Sequence, residues 1–179
     1  MLMRSTLITG GVRSGKSAKA ESLLADQVSV TYLAPGPIPD RTADPDWAER
    51  VDAHQRRRPA HWVTVETTDA AAGIRNASGA VLLDCLGTWI TAVIDELDGW
   101  DRPDVKWRTE FDGRVGDLVD AWASAPGPLV AVTNEVGMGV VPEHRSGRVF
   151  RDLLGTVNQR VAAASDDVLL VVAGRVLRL

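Results

Sequence analysis

The sequence predicts a P-loop NTPase-like α/β chain, a mostly parallel sheet with helices on both faces and an antiparallel hairpin at its C-terminal edge. Three observations predict it. Short apolar runs alternate with amphipathic segments along the chain, the pattern of strand–helix–strand crossover units. The first run, Leu7-Ile8-Thr9, leads into Gly10-Gly11-Val12-Arg13-Ser14-Gly15-Lys16-Ser17, and a helix-like segment follows at once. The last run follows its predecessor after only Gly174-Arg175, too few residues for a crossover, so the two must pair antiparallel.

Taken in order, the strands are expected at Thr6 to Thr9, Val28 to Ala34, Trp62 to Glu66, Ala80 to Cys85, Leu129 to Asn134, Val168 to Ala173 and Val176 to Leu179. Helices are expected at Lys16 to Gln27, Trp47 to Arg57, Asp69 to Asn76, Thr88 to Leu97, Lys106 to Ala125 and Arg145 to Ser165. The last of these carries Val149, Phe150, Leu153, Leu154, Val157 and Val161 at helical spacing. Pro35 to Pro45, with four prolines and a glycine, and Asp98 to Val105 read as loops over a site or at a subunit contact. Trp100, Trp107 and Trp122 supply aromatic area suited to a subunit interface.

At 179 residues, 45% hydrophobic and 25% charged, the chain reads as one catalytic domain spanning 1–179, with no repeat and no low-complexity tract. A net charge of −4 argues against a nucleic-acid partner. No apolar run is long enough to span a bilayer, and Met1 to Thr9 runs directly into the first strand, so a cytoplasmic protein is expected. Cys85 is the only cysteine and ends an apolar strand, where a small thiol packs.

The glycines of the first loop let its backbone curl around an anion, with N–H groups pointing inward and a helix dipole behind them. Lys16 is placed to reach the β- and γ-phosphates of a nucleoside triphosphate, and the Ser17 hydroxyl to contact Mg²⁺. Asp84 ends the run Ala80-Val81-Leu82-Leu83, the position for a second Mg²⁺ contact; capping of the next helix is the alternative. His54 shares a helix stripe with Trp47, Val51 and Arg58 and so faces the protein body, beside Gln55, Arg56 and Arg57. An imidazole there could serve as base, donor or nucleophile, or be a satisfied core histidine. His61 and His144 read as structural or surface residues. Asn134-Glu135-Val136-Gly137-Met138-Gly139 follows a strand end, where backbone approaches a ligand or simply turns.

The P-loop stretch, His54 with Arg58-Pro59 and Trp62, Asn134 to Pro142, and Phe150-Arg151-Asp152 with Gly155 and Asn158-Gln159 together resemble the bifunctional adenosylcobinamide kinase / adenosylcobinamide-phosphate guanylyltransferase family. The resemblance runs nearly end to end. It implies phosphorylation of adenosylcobinamide by GTP or ATP, then transfer of GMP from GTP to that phosphate through a histidine adduct, with Mg²⁺. The matching histidine is His54, and Lys16 is the matching phosphate-binding lysine. The implied nucleotide contacts are Gly10 to Ser17, Pro35, Gly36, Pro37, Gln55, Arg56, Arg57, Arg58, Glu66 and Asp84, and the implied assembly is a homotrimer. Three features depart from the family: the proline-rich loop, Ala53 where some relatives carry a second histidine, and the segment Asp98 to Lys106, which has no match.

Two other functions fit parts of the pattern. A GTP switch would use Asp84-Cys85-Leu86-Gly87, but the base-reading Asn-Lys-x-Asp is replaced by Asn134-Glu135-Val136-Gly137. A single-activity small-molecule kinase would leave His54 and its arginines without a task.

Overall fold

The computed structural model describes residues 5–37, 40–102 and 105–179, with Arg50 by its backbone alone. Strands β1 (Ser5–Gly10), β2 (Val30–Ala34), β3 (Val63–Glu66), β4 (Ala80–Asp84), β5 (Leu129–Val132), β6 (Asp167–Val172) and β7 (Arg175–Arg178) form one sheet in the order β3-β2-β4-β5-β1-β6-β7. Every neighbouring pair is parallel except β6 with β7. Parallel strands are covered on both faces, and β1 and β5 are buried throughout, whereas the edge strands β3 and β7 are exposed at every residue.

Alternation along each strand divides the core in two. Leu7, Val81 and Leu83 point to one face; Ile8, Ala80 and Leu82 point to the other. The first face is covered by α3 (Ala70–Asn76), α4 (Leu86–Glu96), α5 (Val105–Ser124) and α6 (Arg145–Ala163), which contribute Ile74, Trp89, Phe111, Leu118, Leu154 and Val157. The second face is covered by α1 (Lys16–Leu23) through Ala20, together with Leu24 just beyond it. Removing a large apolar side chain from water contributes about 1.5–3 kcal/mol, so the first cluster, with Trp89, Phe111, Trp107 and Trp122, is the main source of cohesion. The remaining helix, α2 (Pro45–Arg57), buries only Ala48 among its described side chains and lies over the carboxyl edge of the sheet.

Element types match the sequence expectation, and the differences lie at the ends. Val28 is 94% exposed, so β2 begins at Val30 instead. Strands β4 and β5 stop at Asp84 and Val132, and α1 stops at Leu23. Helix α2 starts at Pro45 because the Asp44 carboxylate accepts a bond from the Trp47 N–H at 2.9 Å and proline suits the first turn. One expectation is corrected. Trp107 and Trp122 are buried inside this chain, and Trp100 packs against the same cluster, so these aromatics do not make a free interface surface. Both expected loops lie partly outside the described residues, at 38–39 and 103–104.

Candidate active site

A cleft of about 620 Å³ opens at the carboxyl edge of the sheet, where parallel α/β folds bind ligands. It is lined by Val12 to Ala18 of the glycine-rich loop, by Trp47, Val51, His54, Arg57 and Arg58 of α2 and its cap, and by Tyr32, Glu66, Asp84, Asn134 and Phe150. The stripe expected to enter the core therefore faces a cavity. Helix α2 is amphipathic toward a ligand space.

The loop's shape follows from its glycines. A side chain at Gly10 would collide with the Val171 carbonyl, and Gly15 has φ +98, where a Cβ is strained. The Ser14 N–H bonds the Gly11 carbonyl at 3.3 Å, and the Ser14 carbonyl accepts from the Gly174 N–H at 2.9 Å, tying the loop to the β6–β7 turn. Lys16 Nζ donates to the Gly11 carbonyl at 3.1 Å. The Ser14 hydroxyl is buried with no partner among the described residues, which fits an anion seated in the loop.

Asp84 is the hub of the site. Its Oδ2 accepts from the Tyr32 hydroxyl at 3.0 Å and faces His54 Nδ1 at 3.5 Å, and the Ser17 hydroxyl lies near enough to help hold the same carboxylate's charge. Burial alone would raise its pKa, but the bonds from His54, Tyr32 and Ser17 and the His54 charge outweigh it and hold the carboxyl below its ordinary value. Tyr32 is shifted the other way. Burial first, then the Asp84 charge, pushes its hydroxyl far above the usual range, so Tyr32 stays a donor. Arg58 stacks over the Tyr32 ring with its guanidinium carbon 3.3 Å from the centroid and donates to Thr64 Oγ1 at 3.1 Å.

His54 Nδ1 also lies 3.3 Å from Arg57 Nη2. A guanidinium only donates and a carboxylate only accepts, so the two neighbours favour opposite tautomers. Arg57 already bonds both Glu21 oxygens, at 3.3 and 3.2 Å, whereas the buried Asp84 needs donors. Nδ1–H directed at Asp84 satisfies both groups, and in the neutral imidazole that tautomer leaves the Nε2 lone pair free.

The remaining sequence candidates divide. Gly36, Pro37 and Glu66 line the cleft; Pro35 is buried behind it, and Gly10 and Gly11 shape the loop from outside the lining. Gln55 and Arg56 are exposed and do not line it, because the helix turns them away from the His54 face. His61 and His144 are exposed. The Cys85 thiol is pushed up by burial and then by Asp84, so it remains protonated. Gly87 is buried in the first turn of α4, not in a loop free to switch. Sequence reasoning missed Tyr32 and Thr64, which brace Asp84 and Arg58 across strands and carry no motif.

A family model described as cobinamide kinase / cobinamide phosphate guanyltransferase matches residues 6–179. The bifunctional adenosylcobalamin biosynthesis protein CobU of Salmonella typhimurium is 42% identical over 182 residues, covering 94% of this chain and 95% of that protein. CobU of Escherichia coli K12 is 40% identical over 177 residues, with the same coverage, and CobP of Pseudomonas aeruginosa is 36% identical over 173, covering 94% and 92%. Among solved structures, a prototypical type III secretion ATPase aligns at TM-score 0.57 and 12% identity, over 93% of this chain and 50% of that one. The ATPase EscN of enteropathogenic E. coli aligns at TM-score 0.56 and 12% identity, over 96% and 43%. This chain spans half or less of those ATPases, and the likeness is one of fold alone.

Proposed function

Because the chain belongs to the cobinamide kinase / cobinamide phosphate guanyltransferase family, we propose that this one cleft serves two successive reactions of cobalamin biosynthesis. In the first, the hydroxyl oxygen of adenosylcobinamide attacks the γ-phosphorus of GTP or ATP. The bond from that phosphorus to the β-phosphate oxygen breaks, the nucleoside diphosphate leaves with the electron pair, and the hydroxyl proton passes to water. In the second, His54 Nε2 attacks the α-phosphorus of GTP and pyrophosphate departs. An oxygen of adenosylcobinamide-phosphate then displaces the imidazole, which recovers its electron pair, and adenosylcobinamide-GDP is formed.

The observation that carries this reading is the His54–Asp84 pair in a cleft that also holds Lys16. Bonding to phosphorus makes the imidazole cationic, and a carboxylate facing Nδ1 stabilises that charge as it develops. Lys16, the loop N–H groups and Arg57 supply the positive field around the phosphates. Ser17 and Asp84 offer two oxygen ligands side by side and no cluster of three acidic, histidine or cysteine side chains exists among the described residues, which suits Mg²⁺ held partly by phosphate and water. Mg²⁺ there would neutralise charge on the triphosphate. No described helix is long and apolar enough to cross a membrane. In this reading residues 1–179 act as one catalytic domain, in the cytoplasm, as a homotrimer with a light-scattering mass near three chains; a mass of one chain at micromolar concentration would refute that assembly.

The test is a separation of activities. His54→Asn abolishes GMP transfer, by on the order of a thousandfold or more, and leaves phosphorylation of adenosylcobinamide largely intact. Wild-type protein given α-labelled GTP and Mg²⁺, without acceptor, takes up label that is lost in acid and kept in base. An adduct that persists in the His54 variant, or maps to His61 or His144, overturns the assignment.

A further inference from the structure

One wall of the cleft takes no part in the nucleotide chemistry assigned so far. It is built from Gly87 and Thr91 of α4, Asn134 beyond β5, and Phe150 of α6. The Thr91 hydroxyl is committed to the Gly87 carbonyl at 3.1 Å, and the neighbouring Thr88 hydroxyl to the Cys85 carbonyl at 2.9 Å. The Asn134 side-chain amide has no hydrogen-bond partner among the described residues and lies half-buried beside Gly87, whose Cβ, if present, would stand 3.7 Å from Nδ2.

Asn134 is held in place on every side. The Thr133 and Glu135 N–H groups bond the carbonyls of Ile8 and Gly10 at 2.9 and 3.1 Å, fixing the segment to the strand that enters the P-loop. The Asn134 carbonyl accepts from Asn158 Nδ2 at 3.0 Å, and Asn158 Oδ1 accepts from the buried Thr133 hydroxyl at 2.6 Å. The register pairs Asp84 with Val132, two residues earlier, so Asn134 stands at the sheet edge between the Asp84 strand and the P-loop strand. A side chain carried on backbone anchored this firmly, with both its donor and its acceptor unspent, stands at a fixed place in the wall and is available to a ligand.

The chemistry of the two reactions specifies which ligand. In an in-line displacement through His54, the acceptor phosphate must enter along the line pyrophosphate left by, and in the kinase step the acceptor hydroxyl must approach beyond the γ-phosphate. Both acceptors thus reach the nucleotide from its phosphate end. We propose that the wall of Gly87, Thr91, Asn134 and Phe150 is the acceptor subsite for both reactions, resting on the function proposed above. Asn134 Oδ1 accepts from the acceptor's hydroxyl in the first, and Nδ2 donates to the acceptor's phosphate in the second.

Asn134→Asp separates the two roles, because a carboxylate still accepts from a hydroxyl but repels a phosphate. The measurements are KM for adenosylcobinamide, KM for adenosylcobinamide-phosphate, and the dissociation constant of a non-hydrolysable GTP analogue, with a thermal melt to confirm folding. The expected result for Asn134→Asp is a rise of roughly tenfold or more in the KM of the phosphate acceptor, a KM for the alcohol within about threefold of wild type, and a distinctly smaller loss of analogue affinity. Asn134→Ala, which keeps neither group, raises both acceptor KM values. Equal effects of Asn134→Asp on the two acceptors, no effect on either, or a matching loss of analogue affinity would each overturn the proposal. A wild-type chain that turns over neither acceptor overturns the underlying function instead, and the proposal with it.

Discussion

Tyr32 is the only tyrosine in the chain, and it donates to Asp84 from beneath Arg58. Its ionisation can therefore be followed directly. Burial and Asp84 raise the folded-state pKa well above the ordinary value near 10, so the folded chain holds the neutral phenol where the unfolded chain loses its proton. The sign follows: this contribution to stability is complete below about pH 10 and is lost as pH rises from there toward the folded value. Absorbance near 295 nm should show no tyrosinate in the folded protein through the usual range, with ionisation appearing only alongside loss of circular dichroism. A rise near pH 10 in protein that is still folded would contradict the Tyr32–Asp84 geometry. At this scale the sequence was partly readable. Lys16, Ser17, Asp84 and His54 sit in local patterns, but Tyr32 and Asp84 are 52 positions apart, and only strand order brings them together.

Helix α2 shows what periodicity can and cannot say. Trp47, Val51, His54 and Arg58 were legible as one face, yet that face meets the cleft and not the core, because the spacing of a stripe does not name what lies opposite it. Its docking is largely polar: Arg57 to Glu21, His54 to Asp84, Trp47 Nε1 to the Pro37 carbonyl at 3.1 Å, and Arg58 over Tyr32. By contrast the stripe read on α6 does turn inward, since Val149, Leu153, Leu154, Val157 and Val161 are all buried and only Phe150 of the expected positions reaches the cleft. A helix with so little buried apolar surface depends more on its cap. Asp44→Ala removes the bond to the Trp47 N–H and should destabilise the start of α2 by about 1 kcal/mol. Hydrogen exchange should then speed up within 45–57 while the β1 and β5 amides stay protected, and GMP transfer should fall more than phosphorylation, since only the former uses His54. Uniform exchange across the protein would mean that α2 is not a separable unit.

At the scale of the whole molecule, the alternation of runs and the two-residue link at Gly174-Arg175 made the parallel sheet and its antiparallel edge readable. The destination of the tryptophans was not. Large aromatics serve a core or an interface equally well, and only the packing of α5 against α3 and α4, with the Trp89 ring of α4 6.2 Å from that of Phe111, sends them inward.

The tie between the phosphate loop and the β6–β7 turn has a consequence for how the protein comes into being. β1 is made before the β5 and β6 it pairs with, and its loop is anchored by Gly174, so once it leaves the ribosome it must wait for partners more than a hundred residues away. Such distant pairings close slowly, and until they form, the apolar residues Leu7 and Ile8 have nowhere to hide. Nucleotide binding should therefore arise late and abruptly during synthesis. Chains arrested with residues up to 166 exposed should fail to bind a fluorescent GTP analogue, and chains exposed through 179 should bind it. Binding by the shorter chain would show that the loop assembles without its C-terminal anchor.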